Sequence, residues 1–121
     1  MQNAAQAYGA VARQIANPRE LEADLLLRAA SQLQAVYDRW DGKQSELDVA
    51  LRYNRKLWSV FLSAVTSPEH ALPAPIRQNV ANLGLFVMNQ TNAIMQNPVR
   101  EGIGSLISIN RELAAGLLGR A

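Results

Sequence analysis

The sequence contains no cysteine and a single histidine, His70. The absence of cysteine excludes disulfides, thiolate zinc sites, iron–sulfur ligation and a thiol nucleophile, and it fits a reducing cytosol. One histidine cannot build a multi-histidine metal site. We therefore expect no metal site of the multi-histidine or thiolate kind, and no other cofactor.

Long apolar runs are also missing. The longest stretch without a charged residue, Gln78 to Val99, carries eight Asn and Gln side chains, which are costly to bury in lipid. The N-terminus shows no charged region followed by an apolar run, as a secretory signal would. We expect neither a membrane span nor a signal peptide.

An excess of one charge is nearly absent. Twelve Lys and Arg face ten Asp and Glu, which gives a net charge of +2. A nucleic-acid-binding protein normally shows a basic stripe that neutralises many phosphates, whereas here acidic residues are interspersed among the basic ones. Direct binding of nucleic acid is not expected.

The residues that are present form a helical pattern. Apolar residues make up 49% of the 121 residues, enough for one core in one domain. They recur at steps of three and four, and no segment alternates like a half-buried strand. We predict an all-α, single-domain bundle of about five helices with mostly antiparallel neighbours. The predicted helices span residues 3–15, 18–40, 46–66, 75–96 and 98–118.

The helix boundaries carry recognisable signals. Asn17-Pro18-Arg19-Glu20 combines an N-cap, a proline at the first helical position and a glutamate that reaches back. Ser45-Glu46-Leu47-Asp48 is a second signal of this kind, and Asn97-Pro98 is expected to cap the last helix. The proline-rich residues 68–75 are predicted to form a loop.

Two predicted helices carry an asparagine within their apolar stripe. These are Asn54, followed by Arg55, and Asn110, followed by Arg111. A buried amide needs a hydrogen-bond partner. One interpretation is a pair of core asparagines bonded to the backbone or to each other, and the other is a pair of polar contacts for a bound helix. The stripe of the helix predicted over 46–66 comprises Leu47, Leu51, Asn54, Trp58, Phe61 and Val65.

The helix over 75–96 has an unusually wide apolar arc, about 200° against the roughly 100° of an ordinary surface helix. Either it lies centrally in the bundle, or part of the arc is free for a partner. Its opposite face is rich in asparagine, including Asn89, with Phe86 among the amides. Phe86 either anchors a partner helix, with Met88 and Met95 nearby, or meets the helix predicted over 3–15.

A small cationic patch lies on the helix over 46–66. Arg52, Arg55 and Lys56 are spaced i, i+3 and i+4, and Asp48 precedes Arg52 by four residues, where it can form an ion pair. The patch is either a solvated helix face or a contact for an acidic partner or RNA phosphate.

Enzymatic motifs are absent from the sequence. No glycine-rich phosphate loop precedes a Lys-Ser or Lys-Thr pair, and Gly102-Ile103-Gly104 is better explained by close helix packing. No Glu-x-x-His spacing occurs, and His70 has no acid–base partner beyond Glu69. We predict that the protein is not an enzyme.

Several sequence blocks, spread over nearly the whole chain, recur together in one order. They are residues 7–8, 17–22, 50–58 (ALRYNRKLW), 72–73 with Arg77, 82–87 (NLGLFV) and 107–117 (ISINRELAAGL). Together these blocks resemble the flagellar biosynthesis regulator FlaF family, and residues 7–8 and 17–22 look like the N-terminal pattern of that family. One departure is Pro75-Ile76, where a more polar pair is expected.

The resemblance implies a small cytoplasmic protein needed for flagellin production and export, acting with the partner regulator FlbT. Members of the family look like secretion chaperones dedicated to flagellin. A helical domain can cover the amphipathic ends of flagellin by binding a helix in a groove. The candidate partner-binding residues are Arg52, Tyr53, Asn54, Arg55, Leu57, Trp58, Leu85, Phe86, Met88, Asn89, Met95, Asn110 and Arg111.

Two other hypotheses stay open at the level of sequence. One is a post-transcriptional adaptor that acts on flagellin mRNA through FlbT and the patch of Arg52, Arg55 and Lys56. The other is a bundle that forms homodimers through the helix over 75–96.

Overall fold

The computed structural model describes residues 18–40, 44–67, 69 and 72–120. These residues form four α-helices and no strand, which confirms the all-α prediction for the described part of the chain. The helix predicted over residues 3–15 and His70 lie outside it. The four helices are α1 (Pro18–Asp38), α2 (Gln44–Val65), α3 (Ala74–Gln96) and α4 (Arg100–Leu117).

The ends of the helices agree with the predicted ends to within two residues. Helix α3 begins at Ala74, with Pro73 as its N-cap residue and Pro75 in its first turn. A proline suits this position because the first N–H groups of a helix have no partner inside the helix. The Pro75-Ile76 pair, which departs from the family pattern, therefore fits the start of a helix.

The predicted cap of the last helix is wrong. Asn97 is the C-cap residue of α3, in an extended conformation, and its backbone N–H donates to the carbonyl of Ala93. Helix α4 begins at Arg100 after Val99, and no side chain caps it. Because Pro98 disfavours a helical conformation in the residue before it, Asn97 ends one helix and does not open the next.

Helices α1 and α4 pack along each other over most of their length and run antiparallel. Near the middle of α1, the Leu26 carbonyl accepts a hydrogen bond from Asn110. Near its end, the Tyr37 carbonyl accepts one from Arg100, whose guanidinium lies 4.3 Å from the centre of the Tyr37 ring. Helix α2 packs against α1 and also contacts α3.

Arg77 ties the end of α2 to the start of α3. Its guanidinium donates to the carbonyls of Val65, Ser67 and Leu72 at 3.3, 3.0 and 3.1 Å. The last carbonyls of a helix have no hydrogen-bond donor inside that helix. Arg77 supplies donors to the carbonyl of Val65, the last residue of α2, and to two carbonyls of the following loop. The connection holds α2 and α3 antiparallel.

The core contains the whole of the predicted apolar stripe of α2. All six residues of the α2 stripe are buried, and the ring of Trp58 meets that of Phe61 edge-on at 5.6 Å. The other helices contribute Leu26, Ala29 and Leu33 from α1, Val80, Val87 and Ile94 from α3, and Ile103, Leu106 and Ala114 from α4.

None of the four helices combines the length and the apolar character that a membrane span requires.

Glycine allows α3 to approach its neighbours. A side chain at Gly84 would overlap that of Leu62 on α2, and one at Gly102 on α4 would lie 2.9 Å from the Gln90 amide of α3. This second contact supports the interpretation of the Gly102-Ile103-Gly104 fragment as a packing feature. Helix α3 is thus held against α2 and, at its C-terminal end, against α4.

Candidate partner-binding site

Three of the predicted partner-binding residues form a polar network inside the core. The Asn110 amide donates to Asn54 Oδ1 at 2.6 Å and to the Leu26 carbonyl at 3.4 Å. The Trp58 indole N–H donates to Asn110 Oδ1 at 2.9 Å. Asn54, Trp58 and Asn110 are each 0% exposed. Their prediction as contacts for a partner is corrected: these side chains link α1, α2 and α4, and the interpretation as bonded core asparagines is confirmed.

Four other predicted residues do not line a common groove. Tyr53 and Leu57 are half-buried, and Leu57 lines a crevice between α1 and α2 beside Leu25. Arg111 is exposed on α4, while Asn89 is exposed on α3. The structure therefore does not gather these four into one site.

A groove between α2 and α3 brings together three of the predicted residues, Arg52, Arg55 and Met88. It has a volume of about 450 Å³ and is lined by Arg52, Arg55, Lys56 and Ser59 of α2 and by Met88 of α3. Arg55 Nη1 lies 3.6 Å from Met95 Sδ, as a donor to the sulfur. We call the surface formed by these residues and Met95 the cationic groove.

The helical period explains both walls of the cationic groove. Residues three, four and seven apart share one face of a helix, so Arg52, Arg55, Lys56 and Ser59 form a single row on α2. On α3, Leu85 precedes Met88 by three residues and is 62% exposed. Leu85 therefore lies on the same flank of α3 as Met88, farther from the core.

The cations of the groove have no acidic neighbours among the residues that line it. The predicted ion pair between Asp48 and Arg52 does not form: within the described ranges, neither residue takes part in an ion pair. The cationic groove is therefore a concentration of positive charge in a protein whose net charge is only +2.

Phe86 lies on the other flank of α3. It is 48% exposed, and Leu83, three residues before it, is also partly exposed. The buried residues of α3 form one stripe, and the helix packs on α2 and on the beginning of α4. Helix α3 is therefore peripheral among the described helices. Its interpretation as a central helix whose Phe86 meets the helix predicted over 3–15 depends on residues outside the described part of the chain.

A comparison with known families decides the affiliation of this chain. The family model described as "Flagellar protein FlaF" matches residues 4–117. The chain belongs to the FlaF family. The match confirms the resemblance predicted from the sequence blocks and shows a flagellum-related protein. No curated protein and no solved structure gives a significant match.

Among the groove residues of this FlaF family member, Lys56 was predicted only as part of the cationic patch, and Ser59 was not predicted at all. Lys56 and Ser59 follow Arg52 by four and seven residues, so the helical period already contained the signal for both. The pairing of this row with Met88 and Met95 had no such signal, because it depends on how α2 packs against α3.

Proposed function

We propose that this FlaF family protein is a cytoplasmic chaperone and positive regulator of flagellin. It binds an amphipathic segment of flagellin before export by covering the apolar side of that segment. Family membership supports the flagellar role. Action together with FlbT on flagellin translation, the regulatory part of the proposal, is supported by the family resemblance alone.

The observation that carries the binding part is the exposed apolar surface of α3. Leu85 and Phe86 stand out from this helix, with Ile76 and Leu83 also exposed. Arg77 is the one charged residue in the sequence of α3, and it is engaged with backbone carbonyls. A partner helix can therefore cover α3 without removing an ion from water, which would be costly.

The physical chemistry of such a complex suits a chaperone. Covering one exposed Leu or Phe contributes up to ~1.5–3 kcal/mol. Ordering a segment that is unfolded before assembly costs conformational entropy, and this cost lowers the affinity of the complex. A partner bound in this way is protected but can be released for export.

Capture of flagellin by the purified protein tests the proposal. We expect Phe86→Asp to abolish capture and to leave the circular dichroism melt nearly unchanged, because a charge at a half-exposed site opposes docking more than folding. The matched control is Val60→Asp on α2, whose side chain is similarly exposed at 57% but points away from α3.

Three results would contradict the proposal or its details. Failure of the unmodified protein to bind flagellin overturns the function itself. Normal capture by Phe86→Asp removes Phe86 from the binding surface. A large loss of stability in that variant would place Phe86 in the core.

A further inference from the structure

We infer that the cationic groove binds an acidic amphipathic helix, one that carries a row of carboxylates along the edge of its apolar face. The inference rests on the proposed function and deepens it, since it names the charge of the segment that this side of α3 receives. Two features of the groove carry it: the row of cations on α2 and the apolar wall on α3.

The cations are available to an incoming acid. Arg52, Arg55 and Lys56 are all exposed, and no acidic side chain lines the groove. The contact of Arg55 with the Met95 sulfur uses one of its five N–H donors on a weak acceptor. The planar fork of an arginine fits a carboxylate with two parallel hydrogen bonds.

The spacing of the cations fits a helical partner. An α-helix rises 1.5 Å per residue, so Arg52 and Lys56 are separated by about 6 Å along α2. Carboxylates four residues apart on a second helix are separated by the same distance. A partner helix that lies along α2 can therefore place successive carboxylates against successive cations.

The opposite wall defines the rest of the partner. Met88 and Met95 are partly buried, and both pack against the core, while Leu85 is exposed beside them. Methionine adapts its shape to irregular apolar surfaces. A helix seated between the walls thus presents apolar side chains to α3 and acidic ones to α2.

Single-stranded RNA fits the groove less well. Binding to RNA depends on neutralising many phosphates and on aromatic side chains that stack with the bases. The groove offers three cations, and no aromatic residue is among those that line it. Its apolar wall is aliphatic and sulfur-containing, which suits a protein helix.

Titration of the whole protein with two synthetic helices tests the inference. The first peptide carries Leu and Ala on one face and Glu every fourth residue along its edge, and the second has Gln in place of each Glu. We expect the Glu peptide to bind about tenfold more tightly or better. Charge reversal in Arg52→Glu/Arg55→Glu/Lys56→Glu should remove this preference.

Two further variants keep the result interpretable. Arg28→Glu/Arg39→Glu/Arg120→Glu changes three exposed arginines outside the groove by the same total charge and should retain the preference. If charge reversal in the groove prevents folding, neutralisation with Gln at positions 52, 55 and 56 should lower the preference without introducing repulsion inside α2.

The possible outcomes separate this inference from the proposed function. Equal binding of the two peptides, or binding of neither, overturns the inference, and so does groove-dependent binding of a single-stranded RNA in place of the peptides. Flagellin that binds the unmodified and the charge-reversed protein equally supports the function but overturns the groove as its site. A preference for the Glu peptide in a protein that ignores flagellin supports the groove and overturns the function.

Discussion

Asn110 is the residue on which the buried polar network depends. Its side chain accepts from Trp58 and donates to Asn54 and to the backbone of α1. Asn54 is less well satisfied, because its Nδ2 group is buried without a hydrogen-bond partner. Such a group costs about 1–3 kcal/mol. The two asparagines therefore differ in what they contribute, although they occupy similar places in their stripes.

This difference gives a prediction for the two single variants. Asn110→Leu should lower the free energy of unfolding by about 2–6 kcal/mol, because it leaves both the Asn54 oxygen and the Trp58 N–H unpaired, at about 1–3 kcal/mol each. Asn54→Leu should cost less, since it removes the unsatisfied Nδ2 as well as one hydrogen bond. Chemical denaturation measures both values, and an equal or larger loss for Asn54→Leu would contradict the account.

Substitution of Trp58 tests how much the packing of the core contributes to stability. Trp58→Ala removes the largest fully buried side chain and should cost about 3–5 kcal/mol as a truncation. Trp40, just beyond α1, is half-buried, so Trp40→Ala should cost less. Thermal and chemical unfolding of the two variants provide the comparison. A change below about 0.5 kcal/mol for Trp58→Ala is typical of a surface position and would disagree with its burial.

At the scale of the elements, the approach of α2 to α3 at Gly84 shapes the cationic groove. A larger residue there meets the Leu62 side chain, so Gly84→Val should force the two helices apart and cost about 1–3 kcal/mol as overpacking.

Gly116 on α4 has no atom within 4 Å of an added methyl group. Gly116→Ala should therefore stabilise by up to about 1 kcal/mol, through helix propensity alone.

Opposite signs for these two variants would show that packing, not backbone freedom, sets the role of Gly84. Unfolding experiments decide the sign. A stabilised Gly84→Val would mean that Leu62 moves aside freely and that the walls of the groove are not held by this contact.

The element scale also shows how far the sequence can be interpreted. The four described helices and the stripe of α2 follow from local periodicity and breakers, which is why their ends agree with the structure. Asn97 was misassigned because an asparagine before a proline is compatible with either end of a helix. The groove required knowledge of which helices touch, and the contact between Arg55 and Met95 joins residues 40 positions apart.

For the whole molecule, the small net charge means that the cationic groove attracts an acidic partner only at short range. A net charge of +2 provides little long-range steering, so the cations of the groove act within a screening distance of about 8–10 Å.

The exposed surface of α3 is also the surface through which the third hypothesis predicts a homodimer. Sizing at two protein concentrations tests it, since a dimer formed through α3 should dissociate on dilution and should be absent in Phe86→Asp.

Binding in the groove should also stabilise the whole fold. A ligand that binds only the folded chain adds about 2.7 kcal/mol at a hundred times its Kd. For 121 residues, the entropy of unfolding is about 0.25 kcal/mol per kelvin, so the melting temperature should rise by about 10 °C with the Glu peptide. Substitution of Arg52, Arg55 and Lys56 by Glu should remove most of this rise, whereas substitution of Arg28, Arg39 and Arg120 should preserve it. An equal rise in both variants would show that the peptide stabilises the fold from a surface other than the cationic groove.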